Sequence, residues 1–211
     1  MSHPKVKRRV RAPDVTRNAL LQAGFAAIYR SGFQGASLDD ILKESGVTKG
    51  ALYHHFPDKL ALGYAVVNEV IRGLLLERWL GPLNQPTSDP LTVLQGVFRQ
   101  RAASLSAIEV RFGCPLNNLA QEMSPLDEQF RRAIEATFAA WRKGFAQALQ
   151  RGQTVGTVRK DVDARRVATF LVAAVEGSYG LAKSSSSRSM VRSNFEMLAT
   201  FLDGLRPVSR A

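Results

Sequence analysis

Cysteine is almost missing from this chain. One residue, Cys114, stands in 211 positions, which excludes an intrachain disulfide framework and a cysteine-rich zinc site. Histidine is nearly as scarce, at His3, His54 and His55. None of the three is placed to pair with Cys114 or with a serine of the later two thirds, so a cysteine–histidine dyad, a serine triad and a histidine metal site are not expected. Asp39 and Asp40 are adjacent and point to different sides of a helix; capping explains Asp40 better than acid–base work. A glycine-rich phosphate loop is missing too, since Gly177 to Gly180, GSYG, lacks both the spacing and a preceding strand. No run approaches the roughly eighteen apolar residues that cross a bilayer. The opening MSHPKVKRRVRAP has no apolar secretion segment, so a cytoplasmic protein without cofactor or metal is expected.

Negative charge is the other deficit. Eighteen acidic residues stand against 29 lysines and arginines, a formal net charge of +11. Such a surplus points to a polyanionic partner, without separating DNA from RNA or a membrane surface. Its distribution says more: Lys5, Lys7, Arg8, Arg9, Arg11 and Arg17 face only Asp14 within the first 17 residues. A solvated arm is expected in the free protein, and on DNA such an arm can follow the backbone or enter the minor groove.

What is present centres on Ser37 to Phe56, SLDDILKESGVTKGALYHHF. Ser37, with Asp40 three residues on, caps a helix running to about Ser45. Gly46 supplies the left-handed exit, and Val47 wedges between two helices. Thr48 caps the next helix, Lys49 to Phe56, which Pro57 ends. Leu52 and Phe56 face inward with Ile41 and Val47, leaving Lys49, Gly50, Tyr53 and His54 outward. Two short helices with such a turn form a helix-turn-helix, and a lysine, a bare glycine, a tyrosine and a histidine suit a phosphate-lined major groove.

The longer stretch from Thr16 to Ala65, TRNALLQAGFAAIYRSGFQGASLDDILKESGVTKGALYHHFPDKLALGYA, resembles the DNA-binding domain of the TetR family of bacterial transcriptional regulators. The likeness holds one register through the GF after the first helix, the GVTKGALYHHF segment and the following DKxxL. It implies that Lys49 and Gly50 approach the groove, that Tyr53, His54 and His55 touch the DNA backbone, and that Lys59 holds a phosphate. The DNA-contact set is then Ser37, Thr48, Lys49, Gly50, Ala51, Tyr53, His54, His55 and Lys59. The resemblance further implies an all-helical effector domain behind this head and dimerisation through the last two helices.

The expected fold is all-α, with about nine helices at 3.6-residue periodicity. Residues 1–13 form the arm, 14–57 the helix-turn-helix domain, 58–80 a linking helix, 81–206 a ligand-binding and dimerisation domain, and 207–211 a tail. The linking helix carries Leu62, Val66, Val70, Leu74 and Leu75, and a change in its tilt would move the DNA-reading surface. After the proline-rich GPLNQPTSDP, helices are expected over 91–110, 116–123, 126–151, 164–183 and 189–205. Phe130, Ile134, Phe138, Trp141, Phe145 and Leu149 form one apolar stripe. Phe170, Ala174, Gly177 and Leu181, then Phe195, Leu198, Phe201 and Leu202, mark two apolar faces able to pair with a second copy as a four-helix interface.

Cys114 has two readings. A buried cysteine behaves as a small hydrophobe. At the FGCP break it also heads a helix, whose exposed N–H groups would favour thiolate. GCPLNNLAQE resembles a TetR-family subset with an electrophile-responsive cysteine, which makes Phe112, Cys114, Asn117, Asn118, Gln121, Trp141 and Tyr179 a candidate effector pocket. The function this suggests is a dimeric regulator, expected to be a repressor released from a palindromic operator by a small molecule. A small helical enzyme with a basic surface and an effector-free architectural DNA protein are the alternatives, and activation is left open beside repression.

Overall fold

The computed structural model describes residues 12–84 and 89–207. Most of the basic arm, the end of the tail and four residues of the proline-rich loop lie outside the described residues. Among the described residues the chain is helical throughout, with no strand. It divides into two compact units, one ending at Val66 and the other beginning at Val67, inside the stretch expected as the linking helix.

The first unit holds α1 (Ala12–Gly35), α2 (Leu38–Ser45), α3 (Lys49–His55) and α4 (Lys59–Ala65). Gly32 interrupts α1 with φ 75° and ψ 170°, a conformation that suits glycine. The turn returns Phe33 to the core. Each of the three following helices starts on a side-chain oxygen. The Asp40 N–H donates to Ser37 Oγ at 3.4 Å, the Ala51 N–H to Thr48 Oγ1 at 3.3 Å, and the Ala61 N–H to Asp58 Oδ1 at 2.7 Å. Gly46 ends α2 at φ 66°. Leu20, Ile28, Ile41, Leu52, Phe56 and Leu62 close the core. A Cβ on Gly24 would lie 3.3 Å from Val66 Cγ2, so α1 packs on α4 at glycine range.

Between α4 and α5 (Arg72–Leu80) runs a π-helical segment, Val66–Ile71. A 3-10 turn, Gly81–Asn84, follows, and then come α6 (Pro90–Ser104), α7 (Ala107–Phe112), α8 (Pro115–Met123), α9 (Glu128–Val155), α10 (Ala164–Ser185) and α11 (Arg188–Asp203). The nine expected helices are all present, two of them in two parts. The π segment divides the one over 58–80. The one over 91–110 breaks at Leu105, because Ser106 and Glu109 form a reciprocal capping box that starts a new helix.

The core of the second unit is aromatic. Trp79 stacks on Trp141 at 5.1 Å and meets Phe98 and Phe195 at 6.1 Å each. Tyr179 closes on Phe195 at 5.9 Å. The expected loop at Gly152 is instead the last turn of α9, which runs on to Val155. A Cβ on Gly152 would lie 2.4 Å from Val158 Cγ2 and 2.8 Å from Pro90 Cγ, so only glycine lets the following turn and α6 close on it.

Candidate functional site

Within the head, α3 is a short rod pinned by the Thr48 cap and, on one side, by buried Leu52 and Phe56. The other side presents Thr48, Lys49, Gly50, Tyr53 and His54 to solvent, with Tyr53 44% exposed. A Cβ on Gly50 would meet nothing within 4 Å, so the fold itself does not require glycine there. Ala51 and His55 are half-buried; the His55 ring lies 5.2 Å from that of His54 and 6.4 Å from that of Phe56. Ser37 stands at the start of α2 as its cap, so its hydroxyl already accepts a bond. The Lys59 ammonium donates to the Gln34 carbonyl at 3.0 Å and sits 4.9 Å from the Phe33 ring centroid. It therefore secures the end of α1, with further N–H donors left over.

The expected effector residues are divided by the fold. Cys114, Trp141 and Tyr179 are buried, Phe112, Asn117 and Asn118 are half-buried, and Gln121 is exposed on α8. Asn118 is committed to the turn before α8. Its Nδ2 donates to the Phe112 carbonyl at 2.6 Å and its Oδ1 accepts from Lys183 Nζ at 3.1 Å. The Tyr179 hydroxyl accepts from Arg101 at 3.3 Å. Arg101 is also paired with Glu109 at 2.5 Å, and Arg78 approaches the same Glu109 oxygen at 3.1 Å. Burial pushes the Glu109 carboxyl up, but the Ser106 N–H and hydroxyl and the two arginines together hold it below its ordinary value.

Cys114 does head α8, as its N-cap, yet thiolate is not favoured there. Burial raises the thiol well above its ordinary range, and the charge of Glu176 raises it further; the Asn117 and Leu116 N–H groups pull the other way and lose. Desolvation outweighs the helix start because Cys114 is only 5% exposed.

Glu176 is the residue that sequence reasoning passed over. It lies on α10 between Val175 and Tyr179, 8% exposed, and neither carboxylate oxygen has a partner of hydrogen-bond geometry. Burial raises its carboxyl to about 7, with the adjacent Cys114 thiol opposing. The signal was available: a lone acid inside the apolar run FLVAAVEGSYGLA.

The outer faces of α10 and α11 carry exposed apolar side chains: Phe170 at 50%, Leu181 at 52%, Met197 at 63% and Phe201 at 38%. With Ala174, Gly177, Ser178, Asn194 and Leu198 they line an open groove of about 460 Å³. The Phe170 and Phe201 rings lie 5.1 Å apart across it. Phe195 and Leu202, expected on the same faces, are buried within the chain. Among the described residues no helix is long and apolar enough to cross a membrane, and no group of three histidine, cysteine or acidic residues could hold a metal.

A capped helix-turn-helix with an outward second helix, followed by a wholly helical second unit, defines a DNA-binding regulator of transcription. Comparison with known proteins agrees. Residues 20–66 match the family described as bacterial regulatory proteins, tetR family, and residues 90–194 match the C-terminal domain of LmrA/YxaF-like transcriptional regulators. The transcriptional regulator AcuR of Cereibacter sphaeroides is 30% identical over 86% of this chain and 85% of its own. The HTH-type transcriptional repressor DhaR of a Mycobacterium species is 30% identical over 77% of this chain and 79% of its own. A TetR transcriptional regulator from Chloroflexus aurantiacus, solved as a crystal structure, superposes with a TM-score of 0.81 at 26% identity, over 95% of this chain and 100% of that one. The chain belongs to the TetR family, and it is a DNA-binding transcriptional regulator.

Proposed function

We propose that this regulator is a homodimeric repressor, acting in the cytoplasm, which a small molecule bound in the second unit releases from a two-fold symmetric operator. The observation that carries the reading is the contrast between two outward faces of one chain: polar and cationic on α3, apolar on α10 and α11. A groove with Phe170, Leu181, Met197 and Phe201 open to water is what a second copy would cover, and a Cβ on Gly177 or Gly180 would meet nothing of its own chain within 4 Å, leaving room for close helix approach. Two copies joined there would offer two α3 helices to successive major grooves, with half-sites about 34–36 Å apart. Lys49, Gly50, Tyr53 and His54 would make the closest contacts; Ser37, Thr48, Ala51, His55 and Lys59 support them by capping, packing or a remaining donor. In the second unit, Cys114, Trp141 and Tyr179 border the ligand region, Phe112, Asn117 and Asn118 flank it, and exposed Gln121 lies at its outer side. Effector binding would favour a conformer whose recognition helices no longer match the operator; a preference of about 1–3 kcal/mol changes affinity roughly 5- to 150-fold.

Selection of DNA from a random pool tests the reading. A two-fold symmetric site should be enriched by the wild type and lost in Leu181→Glu, which should run as a monomer in light scattering. Enrichment of an asymmetric site by a protein that is monomeric before and after the substitution would refute it.

A further inference from the structure

Most buried polar atoms of the second unit are accounted for, and those of Glu176 are not. Arg159 Nε lies 3.2 Å from Asp161. Arg101 leaves Nε without a hydrogen bond, but its guanidinium is held by Glu109 and Tyr179. For Glu176 both oxygens are open at once, inside the protein. Its polar neighbour, the Cys114 thiol, is a weak donor and carries no charge. No cation contributes to the electrostatics of Glu176; Arg101 is held by Glu109 and Tyr179, and Lys183, two turns along α10, by Asn118. A buried carboxylate with neither counter-ion nor hydrogen bonds is costly, and a leucine or glutamine would fill the position without that charge. The surroundings point to the missing partner. Tyr179 is one turn from Glu176 and continues through Phe195 to Trp79 and Trp141 as one buried aromatic cluster, and aromatic faces attract cations.

We propose that Glu176 is the anchor of the effector site and that the effector is a cation: a protonated amine or amidine carried on an aromatic body, its N–H groups donating to the two carboxylate oxygens. This rests on the effector-released reading above and adds to it the charge and class of the ligand. An anionic effector would place like charges together at the one acid of the α10 interior, and a neutral one would leave the carboxylate without a counter-ion. The Trp141 Nε1–H, also without a partner, is available to a hydrogen-bond acceptor on the same molecule.

The test uses the full chain and matched probes: phenyl, naphthyl and biphenyl rings, each bearing an aminomethyl, a hydroxymethyl or a carboxylate group. Calorimetry should show the amine of at least one ring binding wild type about tenfold or more tightly than its alcohol and its carboxylate. In Glu176→Gln, checked for helicity and melting, that preference should vanish while the alcohol binds as before. Equal binding of the three head groups, a preference for the carboxylate, no binding by any amine, or a preference surviving in Glu176→Gln would each overturn the anchor. The wild-type comparison needs no variant, so a misfolded substitution does not spare the proposal. Operator retention, measured with the same probes and a wider compound library, separates the two ideas. Release by neutral or anionic compounds alone removes the cationic anchor and keeps the effector reading; amine binding in the body without release by any compound removes the effector reading and keeps the anchor.

Discussion

Glu176→Gln should make the protein more stable, and the gain should depend on pH. In the unfolded chain the carboxyl titrates near 4.5, whereas burial in the fold raises it to about 7. Between those values the folded state holds a proton that the unfolded state has released, so stability falls as pH rises through that window. The whole penalty, at about 1.4 kcal/mol for each pH unit of displacement, comes to about 3 kcal/mol. All but about 1 kcal/mol of it develops between pH 5 and pH 8. Glutamine has nearly the same shape and no charge, so the variant escapes the titration while keeping the packing. Urea unfolding followed by tryptophan emission is the assay, because Trp79 and Trp141 both lie fully buried in the second unit. The difference in midpoint between variant and wild type should widen by roughly 1 M from pH 5 to pH 8, for a urea slope near 2–3 kcal/mol/M. Protein concentration must be equal throughout, since the proposed dimerisation would couple to stability. Other titrating groups are common to both proteins and cancel in the difference. A gap that stays constant across pH, or a variant less stable at pH 8 than wild type, would refute an ionisable, partnerless Glu176.

Gly50→Leu should raise the melting temperature slightly, since glycine costs a helix about 1 kcal/mol and nothing stands within 4 Å of the added carbon. Operator affinity by fluorescence anisotropy should nonetheless fall at least tenfold; unchanged affinity would take Gly50 out of the interface. Gly152→Ala should destabilise by about 1–3 kcal/mol despite better helix propensity, because its Cβ would press on Val158 and Pro90, and a neutral or stabilising result in urea would show that α6 is not closed on this turn. Cys114 should resist a disulfide exchange reagent in the native state and label fully once unfolded, since the thiol is buried and its ionisation is opposed by desolvation and Glu176. Rapid stoichiometric labelling of the folded protein at pH 7 would reverse that assignment.

The head was legible almost residue by residue, because what shapes it is local. Ser37, Thr48 and Asp58 each serve an N–H three positions on, Gly46 and Gly32 mark left-handed exits, and the spacing of Ile41, Leu52 and Phe56 sets which side of each helix is dry. The second unit was legible as a series of helices and less so as a site. The helix expected over 91–110 contains a capping box at Ser106 and Glu109, hidden because apolar periodicity continues across the break. The faces proposed for dimerisation are whole apolar stripes in the sequence, and the fold sorts them: Phe195 and Leu202 inward, Phe170 and Leu181 outward.

Charge and solvation are what the chain order alone left undetermined. Lys59 was assigned to phosphate by its place in the motif, and its ammonium reaches back 25 residues to the Gln34 carbonyl. Cys114 occupies the helix start that its neighbours specify, but whether its proton stays is decided first by burial and then by Glu176, 62 positions away in the sequence and beside it in space. Helix caps, turns and apolar periods act within four residues, so the amino-acid order determines them. Desolvation, and the partner a buried charge finds or lacks, depend on which distant helices close around it, and only the packed tertiary structure decides that.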